Sequence, residues 1–108
     1  MKAIIAVLVF CSLSSVAHAN DRASYCATVT SYAERIMFIR QMGQPIESQL
    51  RSVSYHFDTP EEQAEAQALV ERAWAEELVT TSKKQKKQIK KFVEGTEEDC
   101  LAGKIFPS

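Results

Sequence analysis

The sequence predicts an all-α fold: a small antiparallel bundle of three to five helices, with one disulfide joining the first helix to the last. Three observations carry that expectation. Apolar residues recur at spacings of three and four along most of the chain, the signature of helices with one buried face. No alternating apolar and polar pattern persists, as a half-buried strand requires. Finally, an amino-terminal leader accounts for one of the three cysteines and leaves an even pair.

The leader is read from its layout. Met1-Lys2 form a short positive head, Ala3 to Leu13 an apolar run, and Ser14 to Ala19 a polar stretch ending Ala17-His18-Ala19. Small residues stand at the two positions a signal peptidase reads, so cleavage is expected after Ala19. The apolar run is short, and serines interrupt it before the roughly 20 residues a membrane span needs; an uncleaved anchor is the alternative. Cys11 follows Phe10, whose bulk does not suit lipoprotein processing, so it is read as apolar filler that leaves with the leader. Residues 20–108 then form one small exported domain. A domain of this size is marginal on its hydrophobic core alone. In an oxidising compartment Cys26 and Cys100 have one possible pairing, and the loop it closes restricts the unfolded chain by about 4 kcal/mol.

The first helix is expected over Tyr25 to Gly43. Cys26, Val29, Ala33, Ile36 and Met37 fall within about 100° of one another, with Tyr25, Tyr32 and Ile39 widening one edge. Thr28, Ser31, Glu34 and Arg35 take the remaining circumference. Gly43 followed by Pro45 ends the helix. Pro45 suits the first turn of a shorter second helix, where Ile46, Leu50, Val53 and Phe57 recur at four, three and four. Thr59, Pro60 and Glu62 make a capping box that opens a third helix. That helix is expected to run to about Val79 and to bury Ala66, Leu69, Val70, Ala73 and Trp74. Thr80 to Ser82 reads as the next connection. The fourth helix opens at Lys83 with Ile89, Phe92, Val93, Cys100 and Leu101 as its apolar set. Gly95-Thr96 can break it, since Thr96 followed by three acids looks like a fresh cap. After Gly103 the tail is extended, with Ile105 and Phe106 laid on the body.

Charge and residue type exclude several functions. The formal net charge is −1, and loss of Lys2 makes it one unit more negative. Such a balance implies no general attraction to nucleic acid or to an anionic membrane. His56 is the one histidine beyond the leader, so three- or four-ligand metal sites and base-assisted nucleophiles lack their parts. No catalytic, metal-binding or cofactor-binding residue is assigned. Paired acids such as Glu76-Glu77 and Glu97-Glu98 read as solvated charge.

The candidate contact residues are Phe38, Arg40, Tyr55, His56, Lys83, Lys84, Lys86, Lys87, Lys90 and Lys91. The six lysines spread over one side of the fourth helix, opposite Ile89, Phe92 and Val93. They read as a solvated face beside the acid-rich third helix, its expected antiparallel neighbour. The alternative is a strip that binds anionic lipid, cell-wall polymer or an acidic protein. Arg40 lies within the apolar sector of the first helix; its methylenes are expected on the core and its head at that helix's last-turn carbonyls. Its alternative role is a cation awaiting a partner's carboxylate. Phe38, Tyr55 and His56 lie off the apolar stripes, and together they would make an interaction patch.

With these residues in view, the chain resembles a scattered group of small exported helical proteins of Gram-negative bacteria and their phages, a group that carries no established activity. The shared residues are Cys26, Ala33, Ile36-Met37, Arg40-Gln41 and Gly43, then Ala73-Trp74, then Lys86, Ile89, Phe92 and Cys100. The chain departs from the group at Ala75-Glu76-Glu77, which replaces a proline-bearing turn and leaves the end of the third helix open. The resemblance implies an exported helical domain with a disulfide and adds no site. The expected function is that of a non-catalytic periplasmic interaction protein, such as a small inhibitor, an immunity factor or a phage-encoded modulator of the envelope or of lysis. Its expected partner is an envelope protein, with the oligomeric state left open. The alternative is an envelope-surface binder that uses the lysine-rich helix.

Overall fold

The computed structural model describes the backbone of residues 2–107 and the side chains of residues 21–107. Four helices follow one another: α1 (Lys2–Gln41), α2 (Ile46–His56), α3 (Pro60–Ala75) and α4 (Ser82–Leu101). The fold is all-α, and the Cys26–Cys100 disulfide links α1 to α4 with Cα atoms 5.7 Å apart. Helix α1 starts well before Tyr25, where the sequence places its beginning. The side chains of the expected leader, Met1 to Ala19, lie outside the described residues.

Helix α1 organises the rest because its apolar stripe is the one that every neighbour shares. Cys26, Val29, Ala33, Ile36 and Met37 are fully buried. Its most extensive contact is with α4 and its next with α3, while α2 packs mainly on α3. Side-chain contacts fix the directions. Cys26 meets Cys100, whereas Gln85 Nε2 donates to the Gln41 carbonyl, so α4 runs antiparallel to α1. Tyr25 meets Glu62 and Arg40 meets Glu76, so α3 runs alongside α1 in the same sense. Helix α2 returns from Gln44 toward Tyr32, which completes an alternating order.

Two glycines end helices by the same mechanism. At Gly43 the backbone turns left-handed with φ +80°, its N–H bonds the Arg40 carbonyl, and Gln44 N–H reaches Ile39. At Gly103, φ +75°, the same pair of bonds runs to Cys100 and Asp99. This arrangement satisfies carbonyls that a helix end otherwise leaves bare. The third helix opens as its capping residues require: Thr59 Oγ1 accepts from Glu62 N–H at 3.1 Å and donates to Glu62 Oε1 at 3.0 Å.

Four local expectations are corrected. Helix α3 stops at Ala75 rather than near Val79, because side chains of α1 hold the carbonyls of Glu76 and Glu77. Helix α4 continues through Gly95: Thr96 is buried and its hydroxyl donates to Phe92 O at 2.8 Å, so it is an internal residue and not a cap. Leu101 is 49% exposed, since the helix ends there and the chain turns away. Trp74 is half-buried, donating its indole N–H to Gln44 O at 3.0 Å, and so lies over the α1–α2 turn instead of inside the core.

The tail closes the bundle. Phe106 is buried against the rings of Tyr25 and Phe57, at centroid distances of 6.3 and 5.3 Å. Its φ of +47° is unusual for a side chain of that size and holds the ring inward. Arg22 clamps this end from α1, its guanidinium donating to the carbonyls of Cys100, Ile105 and Phe106.

Candidate functional site

The outward face of α1 carries exposed apolar side chains and borders surface depressions on both flanks. Ser31, Glu34, Phe38 and Met42 follow one another at helical spacing on the side opposite the buried stripe. Phe38 is 54% and Met42 60% exposed, unusual for large apolar side chains on one helix face. On one flank lies α4: Phe38 shares a groove with Ile89 that Ser31, Glu34 and Arg35 border. The groove continues over Glu34 and Ile89 to Val93, with Lys86 and Lys90 at its edge. On the other flank the end of α2 approaches. There Thr28, Ser31, Tyr32, Arg35, His56 and Phe57 enclose a depression of about 240 Å³. Ser31 and Arg35 border both features, so the two are continuous across α1.

The structure separates the candidate contact residues. Phe38 and His56 lie on this common face, on either flank of Arg35. Tyr55 is 86% exposed next to His56 and lines neither feature. Arg40 is elsewhere: its head crosses to α3 and donates to Glu76 O from Nε and NH2 at 3.3 and 3.0 Å. The expectation that it serves α1's own last-turn carbonyls is therefore corrected. Those carbonyls are already satisfied by the turn at Gly43, and the end of α3 lies within reach of the guanidinium.

Beside it, Gln41 is nearly buried and acts as a second latch. Its Nε2 donates to Glu77 O and its Oε1 accepts from Val79 N–H, both at 3.0 Å. One side-chain amide thus pairs with the extended segment around Leu78 as a strand's peptide group would.

All six lysines of α4 are exposed. Lys90 meets Glu94 of its own helix at 3.9 Å. Among the described residues, no ion pair joins these lysines to the glutamates of α3. Glu76 instead accepts from Gln88, and the ion pair between the two helices has the opposite polarity, Arg72 of α3 with Asp99 of α4 at 3.4 Å. The acid-rich helix is the antiparallel neighbour, but among the described residues none of its acids pairs with a lysine of α4.

Two tyrosines have perturbed phenols. Tyr25 donates to Glu62 Oε2 at 2.8 Å; burial, then the Glu62 carboxylate, pushes its pKa up to about 12. In return the bonds from Tyr25 and Thr59 hold Glu62 below the usual carboxylate range. Tyr32 is 6% exposed, and burial raises its phenol against the nearby Arg35 charge, which acts in the lowering direction. Its hydroxyl has no hydrogen-bond partner. Among the described residues no cluster of histidine, cysteine and acids has metal-binding geometry.

Thr28, Ser31, Arg35 and Gln41 are absent from the residues that sequence reasoning selects. The first three fall on the polar circumference of α1 and look like ordinary solvent face until α2 returns beside them. Comparison with models of protein families, with curated proteins and with solved structures found no match.

Proposed function

We propose that this is a non-catalytic, exported interaction protein whose contact surface is the outward face of α1 together with the facing edge of α4. The observation that carries this reading is the exposure of Phe38 and Met42 on one face, where Phe38 opens onto a groove that runs over Ile89 to Val93 and is bordered by Glu34, Arg35, Lys86 and Lys90. An apolar centre carrying an aromatic ring, with a charged rim, is the usual anatomy of a protein contact. The disulfide suits an oxidising compartment such as the periplasm, and the leader reading agrees with it. An envelope protein is the partner class, engaged as an inhibitor, immunity factor or envelope modulator would engage it.

The test compares envelope proteins captured by the tagged, oxidised domain with those captured by Phe38→Asp, both checked for the same helical content. A partner held by the parent and lost from the variant is the expected result. An identical set captured by both would remove Phe38 and its face from the reading.

A second reading rests on the lysines. Six exposed cations without acids from α3 form a strip that can hold anionic lipid or cell-wall polymer. Retention on vesicles containing anionic lipid should then fall with salt and disappear when the six lysines become glutamine; retention that survives both changes would end this reading.

A further inference from the structure

We infer that the depression between α1 and the end of α2 is a binding site for a single carboxylate group, held by Arg35 with the hydroxyls of Thr28, Ser31 and Tyr32 and the ring of His56. The inference stands apart from the contact surface proposed above, although the two share Ser31 and Arg35.

Five of the six side chains that line this depression carry hydrogen-bond donors, one of them a permanent cation, and none is acidic. A concave site with this inventory favours an anion. Among the described residues, none of those five side chains hydrogen-bonds or ion-pairs with the protein. For the exposed groups water fills that role. For Tyr32 it does not: the residue is buried, and its hydroxyl is sealed from solvent with no partner. Buried hydroxyls are rarely left so, and one beside a cation is a group waiting for an acceptor. His56 covers the Tyr32 ring at 5.3 Å between centroids. Because His56 is exposed at the last position of α2, its ring can swing aside without disturbing the core.

Charge and size narrow the ligand. One guanidinium matches one negative charge, and its planar fork pairs with the two oxygens of a carboxylate. The volume of about 240 Å³ lies below the roughly 300 Å³ at which drug-sized pockets begin, so the occupant is a small acid or the terminus of a chain. The rings of Phe57 and Tyr32 supply an apolar wall for a substituent next to the carboxylate.

The experiment is a titration followed by nuclear magnetic resonance at constant ionic strength. Benzoate is the probe for a free small acid and benzamide its neutral counterpart; a tripeptide ending in phenylalanine, as acid and as amide, probes a chain terminus. The expected result is saturable movement of the Thr28, Ser31 and Arg35 amides and the His56 ring with an acid, at about millimolar Kd, and none with the amides. Saturation by the peptide acid alone assigns the carboxylate to a chain terminus, and saturation by benzoate assigns it to a small molecule. Arg35→Gln should weaken binding about tenfold. Tyr32→Phe should weaken it similarly while leaving the melting temperature unchanged or raised, because the hydroxyl it removes has no partner in the free protein. A structural hydroxyl would do the reverse, lowering the melting temperature and sparing binding. No saturation by either acid, or saturation indifferent to Arg35→Gln, would overturn the inference.

Discussion

Replacing Gln41 by methionine tests why the third helix ends where it does. Methionine keeps the volume of the side chain but removes both ends of the amide. Two hydrogen bonds of 3.0 Å are lost, to Glu77 O and from Val79 N–H, at a residue only 5% exposed. Each contributes about 1 kcal/mol net, and the half-buried Val79 N–H left unpaired adds a further fraction, so the expected loss is about 2 to 3 kcal/mol. In a domain of this size that lowers the melting temperature by roughly 10 to 20 °C. Thermal unfolding followed by circular dichroism measures it, with Gln67→Met as the control. Gln67 is exposed on α3 without a hydrogen bond, and its substitution should stay within about 0.5 kcal/mol. Hydrogen exchange adds a local readout: the Val79 amide should lose protection in Gln41→Met and keep it in the control. Equal stability of the two variants would refute the latch and require a cause within Glu76-Glu77 for the end of α3.

Reduction of the Cys26–Cys100 disulfide, which spans 74 residues of sequence, should destabilise the domain by about 4 kcal/mol. A urea midpoint that falls by roughly 2 to 4 M on reduction is the expected outcome, and an unchanged midpoint would contradict it. Burial of Tyr25 and its bond to Glu62 make stability depend on pH at both ends. Tyr25 has a folded pKa of about 12 against an ordinary 10.0, so its contribution is complete below pH 10 and lost as pH rises through 12. Glu62 is held low, so its contribution is present above the ordinary carboxylate value and lost as pH falls through the depressed one. The stability difference between parent and Tyr25→Phe should therefore be greatest near neutrality and shrink toward both extremes; a difference independent of pH would dismiss the bond's role. Mass spectrometry of exported protein should find Asn20 at the amino terminus, and an intact Met1 would remove the leader reading.

The helical class, the buried stripe of α1 and the cysteine pair were legible because each depends on local chemistry. A 3.6-residue repeat of apolar side chains states which face is buried, whatever covers it, and two cysteines outside the expected leader leave one pairing. The capping box at Thr59 and the stop at Gly43 belong to the same class, since their hydrogen bonds close within a few residues.

The misplaced features share the opposite property. The end of α3 is set by Arg40 and Gln41, some 36 residues away in sequence. Continuity of α4 through Gly95 depends on burial of Thr96 in the bundle, which turns a capping residue into one that bonds the carbonyl a turn back. The lysines were expected as a solvated face beside the acid-rich third helix; which charges meet across that seam is set by the packing of α3 on α4, which brings Arg72 to Asp99. The sequence by itself determined the helices and the disulfide, because periodicity and residue type act through near neighbours. Only the tertiary structure decided that Thr28, Ser31, Tyr32 and Arg35 face the end of α2 across a depression, because the return of one helix beside another is a long-range event that no local pattern encodes.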